Sequence, residues 1–251
     1  MTSTSSGPEA VPGLALWEEL GWSPDPGQRR ALEKLQTLLR QWNRRCNLTR
    51  LVEGDDYWIR QVFDSLWPLT DLLAESPAGR VAPLSLIDVG TGGGFPGLAL
   101  AVALPQAELT LVDSVGRKIR AVEAMAAALG LRPRVRFRCE RIERLAWDPS
   151  CRGRFDWGVA RAPVVAEYLV PVLKPGGRAL LYRGQWSSED QRDLERAAAM
   201  LGAVVESVQH RELPAGGGVR HAVRLRVVRP CPDSFPRPVG VPLRQPLPGG
   251  A

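Results

Sequence analysis

The 251-residue chain contains only two histidines and four cysteines. Cys46, Cys139, Cys151 and Cys231 are scattered, form no CxxC pair and have no histidine cluster beside them. That pattern encodes no zinc site, so no metal is expected and the thiols read as reduced. Long apolar runs are missing too. Stretches such as Leu98–Leu104 and Ala121–Leu131 fall well short of the ~20 residues that span a bilayer, which excludes a membrane partner. Residues Met1–Gly13 are rich in Ser, Thr, Gly and Pro and lack the basic-then-apolar order of a secretory signal. They read as a disordered leader on a cytoplasmic protein.

What is present suffices for one α/β core with a small helical appendage, given 44% hydrophobic residues. A formal net charge of +6, carried mostly by arginine, favours polyanions without naming one. Residues 28–46 place Leu32, Leu35, Leu38, Leu39 and Trp42 at helical spacing, with Ser23 and Asp25 as candidate caps. A second helical stretch is predicted over 55–73, and the Pro- and Gly-bearing segment 76–83 then breaks the pattern. From Leu84 short apolar strands alternate with helices. Strands are expected over 84–89, 109–112, 135–137, 155–160, 178–182, 204–209 and 222–228, with helices over 96–104 and 115–129. Such alternation implies right-handed βαβ units and a mostly parallel sheet. The expected organisation is a leader (1–13), an N-terminal helical cap (14–75), a main domain (76–229) and a tail (230–251) with seven prolines and little regular structure.

The run Asp88-Val89-Gly90-Thr91-Gly92-Gly93-Gly94-Phe95-Pro96-Gly97 leaves a buried strand and enters a helix through glycines. A ligand can approach bare backbone there, near the switch point of the sheet. About twenty residues on, Asp113 ends the next strand with a carboxylate suited to ribose hydroxyls. Together they predict an adenosine-bearing cofactor. Gly92, Gly94 and Gly97 satisfy the GxGxxG of nicotinamide-binding folds, but Asp88, Gly90, Gly92 and Gly94 also form DxGxGxG. Lys174-Pro175-Gly176-Gly177 before a strand and the β-rich C-terminal end favour the second alignment. In these features the chain resembles class I S-adenosylmethionine-dependent methyltransferases, and the resemblance implies their Rossmann-like fold with an antiparallel C-terminal strand.

Further motifs are Trp42-Asn43-Arg44-Arg45-Cys46-Asn47-Leu48-Thr49, Asp64-Ser65-Leu66, Leu111 to Lys118, Ala160-Arg161-Ala162, Arg183-Gly184, and Phe235-Pro236-Arg237 through Gln245-Pro246-Leu247. With these the chain resembles the bacterial small-subunit rRNA guanine-N7 methyltransferases, also called glucose-inhibited division protein B, over roughly residues 27–247. The resemblance implies S-adenosylmethionine as cofactor and small-subunit (16S) ribosomal RNA, free or in the ribosomal subunit, as partner. It implies cofactor contacts at Gly90, Gly92, Phe95, Asp113, Ile142, Glu143 and Arg161. The chain departs from the family pattern at Gln61, where a histidine is usual, at Arg183, where a lysine is usual, and at Gly93, where the turn usually has alanine or proline.

Arg117, Lys118, Arg120 and Arg141 lie on the rim of the predicted site and are candidate RNA-binding residues. Arg132, Arg134, Arg136 and Arg138 alternate with Pro133, Val135, Phe137 and Cys139, so an extended strand projects all four from one face. At a sheet edge they serve either RNA contact or protection against edge pairing. Guanine N7 in an A-form helix faces a groove that side chains cannot enter, so the target base is expected unpaired, with Phe95, Trp157 and Arg161 near enough to stack on it and Trp157 better explained as core. N7 carries no proton, so no general base is expected; Arg161 is assigned a positioning role, and for His221 a structural role weighs at least as much as a functional one. Alternatives are a methyltransferase for a small molecule or protein, a nicotinamide oxidoreductase and a non-catalytic RNA-binding module. Ala160-Arg161-Ala162-Pro163 contains neither the Asn/Asp-Pro-Pro-aromatic loop of adenine-N6 enzymes nor the Pro-Cys of cytosine-C5 enzymes.

Overall fold

The computed structural model describes residues 13–74, 83–161 and 166–247. The expected leader up to Pro12, the breaking segment from Ser76 to Ala82 and the Ala162-Pro163 step lie outside them.

After α1 (Leu14–Leu20), Asp25 starts α2 (Pro26–Cys46). Its carboxylate accepts the Gly27 and Gln28 N–H groups at 2.7 and 2.8 Å, while the Gln28 side chain accepts the Asp25 N–H at 2.9 Å. This reciprocal cap satisfies donors that the first helical turn leaves unpaired, and it chooses Asp25 over Ser23. The helix stops at Asn47, which adopts a left-handed φ of 47°. There the Asn43 side chain accepts the Leu48 and Thr49 N–H groups at 2.6 and 2.9 Å.

The second helical stretch is broken into α3 (Gly54–Tyr57), a π-helical turn (Trp58–Phe63), α4 (Asp64–Leu66), a 3-10 turn (Trp67–Leu69) and α5 (Thr70–Ala74). Pro68, which has no N–H to donate, sits in the 3-10 turn. The π-turn has no signature in the hydrophobic period.

From β1 onward strands and helices alternate as β1 (Leu84–Val89), α6 (Gly97–Ala103), β2 (Ala107–Asp113), α7 (Gly116–Ala128), β3 (Val135–Cys139), α8 (Ile142–Leu145), β4 (Phe155–Ala160), α9 (Ala166–Leu169), β5 (Leu173–Arg183), α10 (Ser188–Leu201), β6 (Ala203–Leu213) and β7 (Gly218–Val227). They build one seven-stranded sheet in the order β3-β2-β1-β4-β5-β7-β6. β1 to β5 pair in parallel, and β7 runs antiparallel between β5 and β6, as the α/β reading required. The order reverses between β1 and β4. A crevice is therefore expected outside the carboxyl end of β1, beside β4, where α6 begins.

Helices cover both faces. On one, Trp17, Leu32, Tyr57 and Phe63 from the N-terminal helices share a continuous core with Leu86, Leu98, Leu109 and Val135. On the other, Ile142, Leu169, Leu194 and Leu201 pack with Ile87, Val112, Leu181 and Leu225. Each fully buried leucine contributes about 1.5 to 3 kcal/mol of transfer free energy.

One expectation is corrected. Arg132 and Arg134 precede β3 in a turn closed by the Arg134 N–H to the Leu131 carbonyl at 3.1 Å, so only Arg136 and Arg138 belong to the strand. Arg134 turns inward, toward the carbonyls of Ala101, Leu104 and Ala107. In the tail, α11 (Val241–Arg244) is the one helix among the described residues, and Phe235 and Leu247 enter the second core.

Candidate functional site

β1 ends at Val89, and the chain turns sharply because Gly90, Gly92 and Gly94 hold φ values of 76°, 58° and 97° that side chains disfavour. The Gly90 and Thr91 N–H groups both donate to the Val112 carbonyl, at 2.9 and 3.0 Å, tying the turn to the end of β2. Asp113 completes the tie. Its Oδ2 accepts the Gly92 N–H at 3.0 Å and its Oδ1 the Val115 N–H at 2.8 Å. Beneath the turn, Asp88 is fully buried and accepts the Gly97 N–H at 2.9 Å. Gly97 leaves no room for more, since a Cβ there would lie 2.6 Å from Asp88 Oδ2. Burial pushes the Asp88 carboxyl up to about 6. Asp88 Oδ1 and Thr91 Oγ1 are buried with no protein hydrogen-bond partner among the described residues.

A cavity of about 310 Å³ opens above the turn. Its lining brings together Gly90, Gly92, Asp113, Lys118, Arg141, Ile142 and Glu143 from the predicted set. Glu143 is 3% exposed, and its Oε1 accepts the Tyr168 hydroxyl and the Gly240 N–H, each at 2.9 Å. Burial and Glu143 raise the Tyr168 hydroxyl well above its ordinary range, which keeps it a proton donor to that carboxylate.

The tail supplies a wall that the sequence reading missed. Leu243 of α11 lines the cavity, and so does Tyr168 of α9. The tail is held by Arg237, whose guanidinium makes a two-pronged contact with the buried Glu167 at 2.7 to 3.1 Å. Arg152 donates to the carbonyls of Cys231, Pro232 and Phe235. The motif residues Phe235-Pro236-Arg237 and Gly240 were the available signal, but nothing in their spacing says where the tail returns.

Arg161, at the end of β4, lies outside the lining of this cavity. Its Nη2 donates to the Arg60 carbonyl at 2.6 Å and Asp64 Oδ2 at 3.0 Å. Its Nη1 donates to the Gln61 side-chain oxygen at 3.1 Å and Ser65 Oγ at 3.2 Å. It thereby clamps the π-turn and α4 to the sheet. Gln61 fits this network because its amide accepts from Arg161 and donates to Thr49 Oγ1 at 3.1 Å. Phe95 is also outside the lining; it packs edge-on against Tyr57 with ring centroids 6.0 Å apart. Trp157 is core, with Arg178 and Arg224 over its ring. His221 Nδ1 pairs with the Gly184 carbonyl at 2.6 Å, and its ring lies 5.1 Å from that of His210.

Arg117, Lys118, Arg120 and Arg141 form no ion pair or side-chain hydrogen bond among the described residues. Arg117 and Lys118 occupy the first turn of α7, where the helix dipole disfavours cations. Lys118 and Arg141 face the cavity, whereas Arg120 lines a separate groove with Glu123, Arg132, Arg136 and Cys139.

Among the described residues no helix is long and apolar enough to cross a membrane. In solved structures the fold is shared with a putative O-methyltransferase from Klebsiella pneumoniae, at TM-score 0.53 and 16% identity over 86% of this chain and 95% of that one. The cyclase SpnF is similar at TM-score 0.51 and 17% identity, over 84% and 98%. These likenesses speak for the fold alone. Sequence relatives are much nearer. The ribosomal RNA small subunit methyltransferase G of Parasynechococcus marenigrum (strain WH8102) is 60% identical over 96% of this chain and 98% of its own length. That of Prochlorococcus marinus (strain MIT 9313) is 58% identical over 94% and 96%. The family described as rRNA small subunit methyltransferase G matches residues 28–219. A catalytic fold with its glycine turn and paired acid intact, matched over nearly its whole length by such relatives, places the chain in the rRNA small subunit methyltransferase G family.

Proposed function

We propose that the chain transfers a methyl group from S-adenosylmethionine to N7 of a specific guanine in an unpaired region of small-subunit (16S) ribosomal RNA, in the cytoplasm. The observation that carries this reading is the cavity in which bare Gly90 and Gly92 backbone meets the Asp113 carboxylate, in a chain of this family. Asp113 retains lone pairs to accept from ribose hydroxyls, and Ile142 offers an apolar surface to a base. Gly90, Gly92, Asp113, Ile142 and Glu143 would hold the cofactor, with Leu243 closing one side. Phe95 supports the turn from the core. When bound, S-adenosylmethionine supplies an electrophilic methyl on a sulfonium centre.

The residues of the chain then have to bind, align and exclude water. Asp88 is sealed under the turn and unavailable to substrate, in keeping with a reaction at a nitrogen that has no proton to lose. Arg161 positions the N-terminal helices against the carboxyl edge of the sheet. Lys118 and Arg141 at the cleft, with Arg117 beside them on α7, offer uncompensated positive charge to RNA phosphates, while Arg120 points to a separate groove.

The test is incubation with labelled S-adenosylmethionine and small-subunit RNA from a strain lacking the activity, followed by reduction and aniline cleavage, which breaks the chain at N7-methylguanosine. One labelled position with aniline scission is expected. Label without scission would overturn the N7 assignment.

A further inference from the structure

A second set of cations stands on the N-terminal helices. Arg44 and Arg45 end α2, and Arg50 follows in the connecting loop; all three are exposed. None forms an ion pair or donates a side-chain hydrogen bond among the described residues, and Arg45 rests on the Trp42 ring at 5.7 Å. Of the acids that follow in sequence, Glu53 is paired with Arg40 and Asp56 with Arg60.

Topology fixes where these charges lie. The start of α2 touches the far ends of α6 and α7: Gln28 donates to the Val102 and Ala103 carbonyls at 3.2 and 3.3 Å, and Lys34 to the Ala128 carbonyl at 2.6 Å. Its end must therefore lie beside the beginnings of those helices, at the carboxyl edge of the sheet. Leu48 confirms it, because a Cβ on Gly93 would lie 3.5 Å from Leu48 Cβ. The glycine turn is thus flanked on both sides. Gly92 faces Asp113 and the α7 cations, while Gly93 faces the loop that carries Arg50.

We infer that Arg44, Arg45 and Arg50 form a second phosphate-binding arm, so that the substrate RNA crosses the glycine turn between two cationic walls. This rests on the rRNA reading above. Charge at a helix C-terminus is favourable on its own account, which explains Arg44 and Arg45 without a partner. Arg50 lies past the helix and has no such explanation.

The experiment measures binding of protein-free small-subunit rRNA against salt for the wild type, for R44A/R45A/R50A and for R117A/K118A, with calorimetric S-adenosylhomocysteine binding verifying an intact cleft. The triple variant should bind roughly tenfold or more weakly at about 0.1 M salt and lose about 2 to 3 from the slope of log affinity against log salt. Lysine at all three positions should restore most of the slope. Arg50→Glu alone repeats the test without touching α2 and should also weaken binding. An unchanged slope in the triple variant, with a reduced one in R117A/K118A, overturns the second arm and leaves the rRNA reading standing. Wild-type protein whose RNA affinity ignores salt overturns both.

Discussion

On β3, Arg136 faces Glu108 at 3.8 Å, and Arg138 reaches Asp148 at 2.9 Å and Glu140 at 3.5 Å. On the neighbouring head of α7, Arg117, Lys118 and Arg120 have no such partners among the described residues. Both regions are basic in sequence. They differ in whether the protein has already answered the charge, and only unanswered charge is available to a polyanion. Ion pairing on an exposed edge strand discourages strand addition, whereas cations in a first helical turn oppose the local dipole and are better explained by a ligand.

The same division runs through the rest of the molecule, and Arg161 is the sharpest case on the internal side. Replacing it with alanine leaves Asp64, whose side chain is 3% exposed, without its main partner. A loss of about 3 to 5 kcal/mol in urea unfolding is expected, with weak recovery in Arg161→Lys, since an ammonium cannot serve this set of acceptors. A loss under about 1 kcal/mol would erase the distinction between internal and external arginines.

Arg237→Ala is next. Glu167 is 1% exposed but its partner is a quarter exposed, so the expected loss is discounted to about 2 to 4 kcal/mol. Because Arg237 anchors the segment bearing Leu243, S-adenosylhomocysteine affinity should fall with it. Unchanged affinity in calorimetry would remove the tail from the cleft.

Asp88 reverses the comparison, being a buried acid with no ion pair among the described residues, while Arg161 is committed to Asp64. A carboxyl raised from 3.8 to about 6 keeps its proton in the native state where the unfolded chain has lost it. Its contribution is therefore complete below about pH 4 and is lost as pH rises to about 6 and beyond. Asp88→Asn should remove that dependence, gaining about 2 to 3 kcal/mol relative to wild type between pH 4 and 7. Parallel pH–stability curves for the two proteins would contradict the burial argument.

The smallest effects belong on the surface. R117A/K118A should change stability by no more than about 0.5 kcal/mol, yet reduce the salt slope of rRNA binding by about two. Arg136→Ala, the control from β3, should change neither. A lower slope in Arg136→Ala would show that an exposed pair at 3.8 Å leaves the guanidinium available after all.

Much of this was legible in advance because local chemistry dictated it. The bounds of β1 and β4, the glycine turn and the Asp113 carboxylate follow from short apolar runs, from positive φ and from a fixed spacing between strand ends. What escaped depends on distant returns of the chain. Gly240 meets Glu143 across 97 positions, and Arg161 meets Asp64 across the same distance. Arg134 looked like a strand residue until a turn at Leu131 folded it inward. The π-turn keeps an apolar pattern that an ordinary helix would also show.

The wall formed by Leu243 also sets an order of events. Residues 89–143 supply the opposite side of the cleft, and during synthesis they emerge long before residue 243 does. A nascent chain can pair β1, β2 and β3 and close the glycine turn while the cleft still stands open on one flank. The cleft is then completed late, once the tail has docked through Arg237 and Gly240.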